Sequence, residues 1–299
     1  MVSWFYNLLK PQYGRSPLKD RVSNFFVLGL RKVLITLGFR FVWCDHVRGR
    51  PIRLTFDDDF SINLRLYPDY GYNLARICST CLEKYPDLAF IDIGSAIGDS
   101  ITQIRLYGKF PILAINPSVI GIKRNFGDCP DITIVDAFVS GRTSSNAQVP
   151  ATKHKEIPIL ALAAILDKNP NFKKARIIKV DTDGIDCAIL RDNETLLREN
   201  KPIVFFEYDP RFALSYNDEI LGIFPYLNGL GYETAMIYNS NGVFLLSAQL
   251  AAQNTWEEIH YSLLRYNPVS YFDICVFSYT DSDIYLKTRN LELKQINIE

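Results

Sequence analysis

The sequence predicts an α/β fold built on a mostly parallel sheet, and three observations lead there. Residues 88–101, LAFIDIGSAIGDSI, run from a short apolar strand through a glycine turn into a helix start. That is the pattern of the first unit of a nucleotide-binding sheet, in which Gly94 permits the turn and Gly98 lets helix and ligand approach closely; by itself it fits an ordinary strand–turn–helix corner equally well. Beyond it, short apolar runs alternate with helix-like segments, which predicts parallel strands joined by right-handed crossovers. Lastly, Asp92, Asn116, Asp136, Asp181 and Glu207 each stand at or just past the end of one of five such strands. These sheets bind ligands at the carboxyl ends of their strands, so polar residues recurring there mark a site. The turn reads G-x-x-x-G; the dinucleotide spacing G-x-G-x-x-G is not met and no Walker lysine follows.

The 299 residues are 48% hydrophobic, enough for one large α/β domain with an appendage. Formal net charge is zero, so composition offers no electrostatic ground for nucleic-acid binding. Six cysteines, at 44, 78, 81, 129, 187 and 275, are too sparse for a disulfide scaffold and fit a reducing, cytoplasmic setting. Cys78 and Cys81 form a lone C-x-x-C, and the histidines stand far off at 46, 154 and 260. A half-buried helix face explains the pair better than zinc.

Residues 1–87 are expected to form an N-terminal extension and residues 88–299 the main domain. Residues 1–20 lack the apolar core and cleavage site of a secretion signal. Residues 24–43 are the most apolar stretch, but Arg31, Lys32 and Arg40 interrupt it, so it reads as an amphipathic helix and not a span. Docking on the main domain is the favoured reading; peripheral membrane contact is the alternative. Residues 50–67 alternate Ile52, Leu54 and Phe56, then Phe60, Ile62, Leu64 and Leu66, around Asp57-Asp58-Asp59. That period predicts a hairpin with a solvated acidic turn. A helix over 72–84 leads into the first core strand.

Further strands are expected at 110–115, 132–135, 176–180 and 202–206. They end in Asn116-Pro117-Ser118, Asp136-Ala137, Asp181-Thr182-Asp183-Gly184 and Glu207-Tyr208-Asp209-Pro210. Asn116 lies 24 residues after Asp92, where such sheets place the group that binds ribose hydroxyls, usually an acid. Helices are expected at 159–166, 185–190, 218–230 and 250–261, with a polar loop carrying His154 at 140–156. Asn239-Ser240-Asn241-Gly242 predicts a hairpin between strands 234–238 and 243–246, and 271–279 reads as a final strand.

Taken in order, IDIGSAIGDS, AINPS, VDAFVSG, IIKVDTDGIDCAIL, PIVFFEYDP and YNSNGVF resemble the FkbM-type methyltransferase family, over roughly residues 88–280. The resemblance implies the Rossmann-like class I methyltransferase fold: a mostly parallel seven-stranded sheet with one antiparallel strand. It implies S-adenosylmethionine as cofactor and a hydroxyl of a sugar, polysaccharide or natural product as acceptor. Carried over by position, the turn with Asp92, Gly94, Ser95, Ile97 and Gly98 holds the methionine part of the cofactor. Asn116, beside Pro117 and Ser118, faces the ribose, and Asp136 and Ala137 flank the adenine. The sequence departs from the family at Asn116, where an acid is usual, and at Ala96, where an asparagine is usual.

Methyl transfer to a hydroxyl needs alignment, exclusion of water, and a proton acceptor or a metal. Asp181, Glu207 and Asp183 are the candidate catalytic groups. Two neighbouring carboxylates need a shared proton or a divalent ion such as magnesium between them. Two other readings stand beside this one. A metal-dependent glycosyltransferase would use Asp181 and Asp183 on a nucleotide sugar, and a degenerate methyltransferase fold would serve only to bind a partner.

Overall fold

The strands form where apolar runs are short and bounded by turns, and the helices where polar residues return every third or fourth position. The computed structural model describes residues 6–11, 18–140, 157–216, 218–265 and 271–295. Helix α1 (Leu18–Thr36) leads into a hairpin of β1 (Val42–Val47) and β2 (Arg50–Thr55), followed by α2 (Phe60–Leu66) and α3 (Tyr72–Lys84). The core opens with β3 (Phe90–Ile93), α4 (Asp99–Ile104), β4 (Ile112–Asn116), α5 (Ile120–Phe126) and β5 (Ile132–Asp136). Two short paired strands follow, β6 (Phe138–Ser140) and β7 (Ile159–Ala161), then α6 (Leu162–Lys168), β8 (Ile177–Val180), α7 (Asp186–Asp192) and α8 (Glu194–Asn200). Next come β9 (Ile203–Tyr208), α9 (Pro210–Ser215), α10 (Ile223–Gly229), β10 (Tyr232–Asn239) and β11 (Phe244–Gln249). The order ends with α11 (Gln253–Arg265), β12 (Phe272–Ser278) and α12 (Ser282–Gln295).

The main sheet has the order β11-β10-β12-β9-β8-β3-β4-β5. From β5 to β9 all neighbours are parallel. Strand β12 inserts between β9 and β10 and runs against both, and β11 closes the edge against β10. The sheet thus has eight strands where the motifs implied seven; the eighth comes from the Asn239–Gly242 hairpin turn, whose second arm stays paired at the edge. From β3 the chain steps outward through β4 and β5, then returns to β8 on the other side. That reversal opens a crevice between β3 and β8 at their carboxyl ends.

Strand alternation sorts the core into two layers. Phe90, Ile112, Ile177 and Ile203 face a cluster with the hairpin and helices α1 to α5. Ile91, Leu113, Ile178 and Val204 face a second cluster, with α6 to α11. Cys78 and Cys81, expected on a half-buried face, are fully buried on α3.

Four local readings need correction. The hairpin lies earlier, at Val42–Val47 and Arg50–Thr55, and turns at Arg48-Gly49, where both residues have the positive φ of a two-residue turn. Residues 60–66 are a helix: the Asp58 carboxylate accepts from the Phe60 N–H at 2.8 Å and starts the turn. Arg65 on that helix donates twice to Asp45 on β1, and Ser61 donates once, at 2.6 Å. Burial works against it, but these bonds hold the Asp45 carboxyl below its ordinary range. Residues 159–166 begin as strand β7 and only then become helix, because 159–161 pair with β6. Helix α12 was not foreseen, since Ile284 is its one fully apolar buried side chain and the rest of its inner face is polar: Glu292 accepts from Arg76 at 2.7 Å, and the Thr288 and Thr80 hydroxyls meet at 2.6 Å. The loop with His154 lies outside the described residues.

Candidate active site

A cavity of about 450 Å³ opens above the carboxyl ends of β3, β4 and β8. Its floor is the turn after β3. The Gly94 N–H donates to the Ile115 carbonyl, and the Asp181 N–H to the Ile93 carbonyl, so this turn hangs between two strands. Gly94 has φ +85°, and a Cβ there would fall inside the contact radius of the Asp181 carbonyl oxygen. Ile93, Ile115, Ala137, Phe138, Val139 and Ile185 supply apolar lining, and Asp99, Lys179, Asp181, Thr182 and Asp183 supply polar groups.

A second cavity of about 50 Å³ adjoins the first and shares Asp99, Lys179 and Asp181 with it. Tyr70, Asn73, Gln103, Phe205, Tyr271 and Asp273 also line it. The Gln103 side chain is buried, donates to the Tyr70 carbonyl and leaves its own carbonyl oxygen without a partner. Strand parity explains the grouping: Asp92, Lys179, Asp181, Glu207 and Asp273 project from the same sheet face as Phe90, Ile177 and Phe205.

Lys179 lies at the centre of this charge. Its ammonium sits 3.1 Å from Asp181 and 3.3 Å from Asp92. Burial opposes its charge, yet Asp181, Asp92 and Asp99 hold it well above the ordinary lysine value. Among the described residues no other cation lines either cavity. The acids outnumber it, and loss of solvation raises most of them. Asp99 rises to about 6. Asp273 rises to about 7, although Asn73 donates to it at 3.2 Å. Burial first, then the charges of Asp181, Asp186 and Asp273, push Glu207 up to about 10, so it holds a proton at neutral pH. Asp92 is also raised by burial, and its Oδ2 has no hydrogen-bond partner.

The expected site residues separate into two groups. Gly94, Asn116, Pro117, Ala137, Asp181 and Asp183 line the larger cavity. Asp92 lies beneath it, fully buried against Lys179. Ser95 is buried, Ile97 packs on α5 at Gly121, and a Cβ on Gly98 would meet the Phe126 ring and not the cavity. Ser118 is exposed, Asp136 pairs in register with Asn116, and neither lines the cavity. Glu207 lines neither cavity. Asp186, at the start of α7, ties down the loop before it: its carboxylate accepts from the N–H groups of Thr182 and Gly184. Asp99, Lys179 and Asp273 were not anticipated. Asp99 directly follows Gly98, and an acid in that position was the available signal.

Asn116 explains why an amide stands where an acid was expected. Its Oδ1 accepts from the Ala96 N–H at 3.2 Å and its Nδ2 donates to the Ser118 carbonyl at 2.8 Å. A carboxylate would lose the second bond. Ala96 itself holds φ +42°, a conformation that asparagine and glycine adopt at lower cost. Ala96→Asn is therefore expected to stabilise the chain by about 0.5–1 kcal/mol in urea unfolding. A variant no more stable than the native chain would show that the turn relaxes without help.

Among the described residues no group of three or more His, Cys, Asp or Glu side chains is placed to hold a metal ion. A mostly parallel sheet with an antiparallel strand inserted near one edge, and a cavity at its switch point, is the class I methyltransferase fold. Residues 94–234 match the family model of the methyltransferase FkbM domain. Among solved structures it is similar to the methyltransferase FkbM of Methylobacillus flagellatus KT, at 17% identity and TM-score 0.36, over 50% of this chain and 40% of that one. The chain thus spans well under half the length of that protein. It is also similar to precorrin-6y C5,15-methyltransferase of Geobacter metallireducens GS-15, at 13% identity and TM-score 0.32, over 64% and 80% of the two chains. The plantazolicin methyltransferase BpumL, solved with SAH, is 9% identical at TM-score 0.34, over 71% and 84%. A comparison with curated proteins finds no match. The structural similarities are slight, and the strand order itself carries the fold assignment.

Proposed function

We propose that the chain binds S-adenosylmethionine in the larger cavity and methylates a hydroxyl presented from the smaller one. The observation that carries this reading is the meeting of the two cavities at Asp99, Lys179 and Asp181. The lining suits the cofactor. A volume of about 450 Å³ lies in the usual range for such ligands, and the apolar wall around Ala137 and Ile185 suits a flat base. The Thr182 hydroxyl is buried without a partner, and the surrounding acids favour a cation. Bound there, the cofactor supplies an electrophilic methyl group on a sulfonium.

The chain's own side chains do the rest. Ile93, Ile115 and Val139 exclude water from the cofactor. Asp99 and Asp273, raised to about 6 and 7, are matched to taking a hydroxyl proton at neutral pH. This moves the base from Glu207, which keeps its own proton, to Asp99 and Asp273. Asp181 stays paired with Lys179 and fixes the boundary between the cavities. The acceptor enters a pocket rich in hydrogen-bond acceptors, including the unpartnered Gln103 oxygen, which favours a polyhydroxylated end such as a sugar and repels anionic ones.

Titration calorimetry of the full chain with S-adenosylhomocysteine and with a nucleoside diphosphate tests this reading. Binding of the first alone supports it. Binding of the nucleoside diphosphate alone would favour the glycosyltransferase, and binding of neither would contradict the reading.

A further inference from the structure

Helix α1 carries two apolar faces, and only one is covered. Asn24 and Val27 turn inward and are buried, with Leu28, Leu34 and Ile35 half-buried against the same core. Arg31 also faces inward, donating to the Tyr6 hydroxyl at 3.0 Å and to the Phe56 carbonyl at 3.2 Å. On the opposite side Leu18, Val22, Phe25, Phe26, Leu30 and Val33 are 77, 45, 73, 67, 51 and 54% exposed, and Leu37, just beyond the helix, is 69% exposed. These positions recur at three- and four-residue steps, so they form one stripe along the helix. No other helix among the described residues exposes so many large apolar side chains. Lys19 and Lys32 flank the stripe and are exposed, while Asp20, the only acid of the helix, sits on the inward side.

We propose that this stripe is a peripheral docking surface for an anionic lipid bilayer. The inward face is fixed to the protein by Val27 and the Arg31 hydrogen bonds, so the helix presents its outer face as a rigid edge. Exposed phenylalanines suit the headgroup–acyl boundary, and the flanking lysines match anionic headgroups while their stems reach past the apolar stripe. No described helix is long and apolar enough to cross a membrane, so contact is along the surface. A second copy of the chain fits less well, because stacking two such stripes sets lysine rims against each other.

Sedimentation of the full chain with vesicles tests the proposal, using phosphatidylcholine alone and phosphatidylcholine mixed with phosphatidylserine. The chain is expected to pellet with the mixed vesicles about tenfold more strongly than with the neutral ones, and less so at high salt. Joint replacement Phe25→Ser and Phe26→Ser is expected to lower vesicle affinity about tenfold or more while leaving the melting temperature unchanged, since both rings are exposed. A native chain that stays in the supernatant with both vesicle types overturns the proposal. So does a variant that binds like the native chain, or a vesicle-indifferent dimer that the same variant dissociates.

Discussion

Gly94→Ala is expected to destabilise the chain by roughly 2–4 kcal/mol, or to prevent folding. Two costs add at this one position. The residue holds φ +85°, where an L side chain is strained by about 1 kcal/mol or more. The new methyl also falls on the Asp181 backbone carbonyl, which is not free to move. Asp181 is bonded through its N–H to Ile93 on β3, the strand that Gly94 ends, so relief requires prising β3 from β8. Those two strands form the centre of the sheet, and overpacking there is not absorbed by a flexible side chain. Gly98→Ala makes a useful comparison, because its Cβ meets only the Phe126 ring, which is half-buried and can shift. Urea unfolding of both variants is the check. Equal stability of Gly94→Ala and the native chain would mean that the turn is built differently.

Stability is expected to fall as pH rises from about 5 to 10, and Glu207 is expected to cause much of the alkaline part. Asp99, Asp186, Asp273 and Glu207 are raised to about 6, 7, 7 and 10, burial being the largest cause for each. Each binds its proton more tightly folded than unfolded. Their contribution is therefore complete below the unfolded carboxyl value near 4 and is lost as pH climbs through the folded value. Asp45, Asp57 and Asp283 are lowered and act in the opposite sense, losing their contribution in strong acid, so the maximum lies near pH 5. Glu207→Gln keeps a neutral, hydrogen-bonding side chain. It should match the native chain at acidic pH and exceed it by at least about 1 kcal/mol at alkaline pH. A variant less stable at every pH would show that the carboxylate form is needed in the fold.

Much of this arrangement was legible in the sequence, for physical reasons. The parallel core strands are short apolar runs flanked by turns, and the polar residue closing each one falls where ligands of such sheets bind. Asn116 and Asp181, two of those strand-end residues, line the larger cavity. Asp273 did not, because β12 runs against its neighbours: its first residues lie beside the last residues of β9, with Asp273 opposite Glu207. Attention to the carboxyl ends of strands passes over the amino end of an antiparallel one. Helix α12 escaped notice because beyond Ile284 it packs through Glu292 and Thr288, which leave no apolar period. The alternation in residues 60–66 misled because Phe60, Ile62 and Leu66 suit a one-sided strand as well as one short helix.

In the proposed arrangement the methyl donor lies beside Asp99, where the two cavities meet, with Asp273 lining the smaller cavity next to it. Calorimetric affinities of S-adenosylmethionine and S-adenosylhomocysteine, measured side by side from pH 5 to pH 8.5, test it most directly. The two ligands share every titrating group and differ in the positive charge at sulfur. As Asp99 and Asp273 ionise through about 6 and 7, preference for the sulfonium should grow on the order of tenfold. A ratio that stays constant across that range, or that moves toward the neutral thioether, would contradict the placement of the cofactor beside these acids.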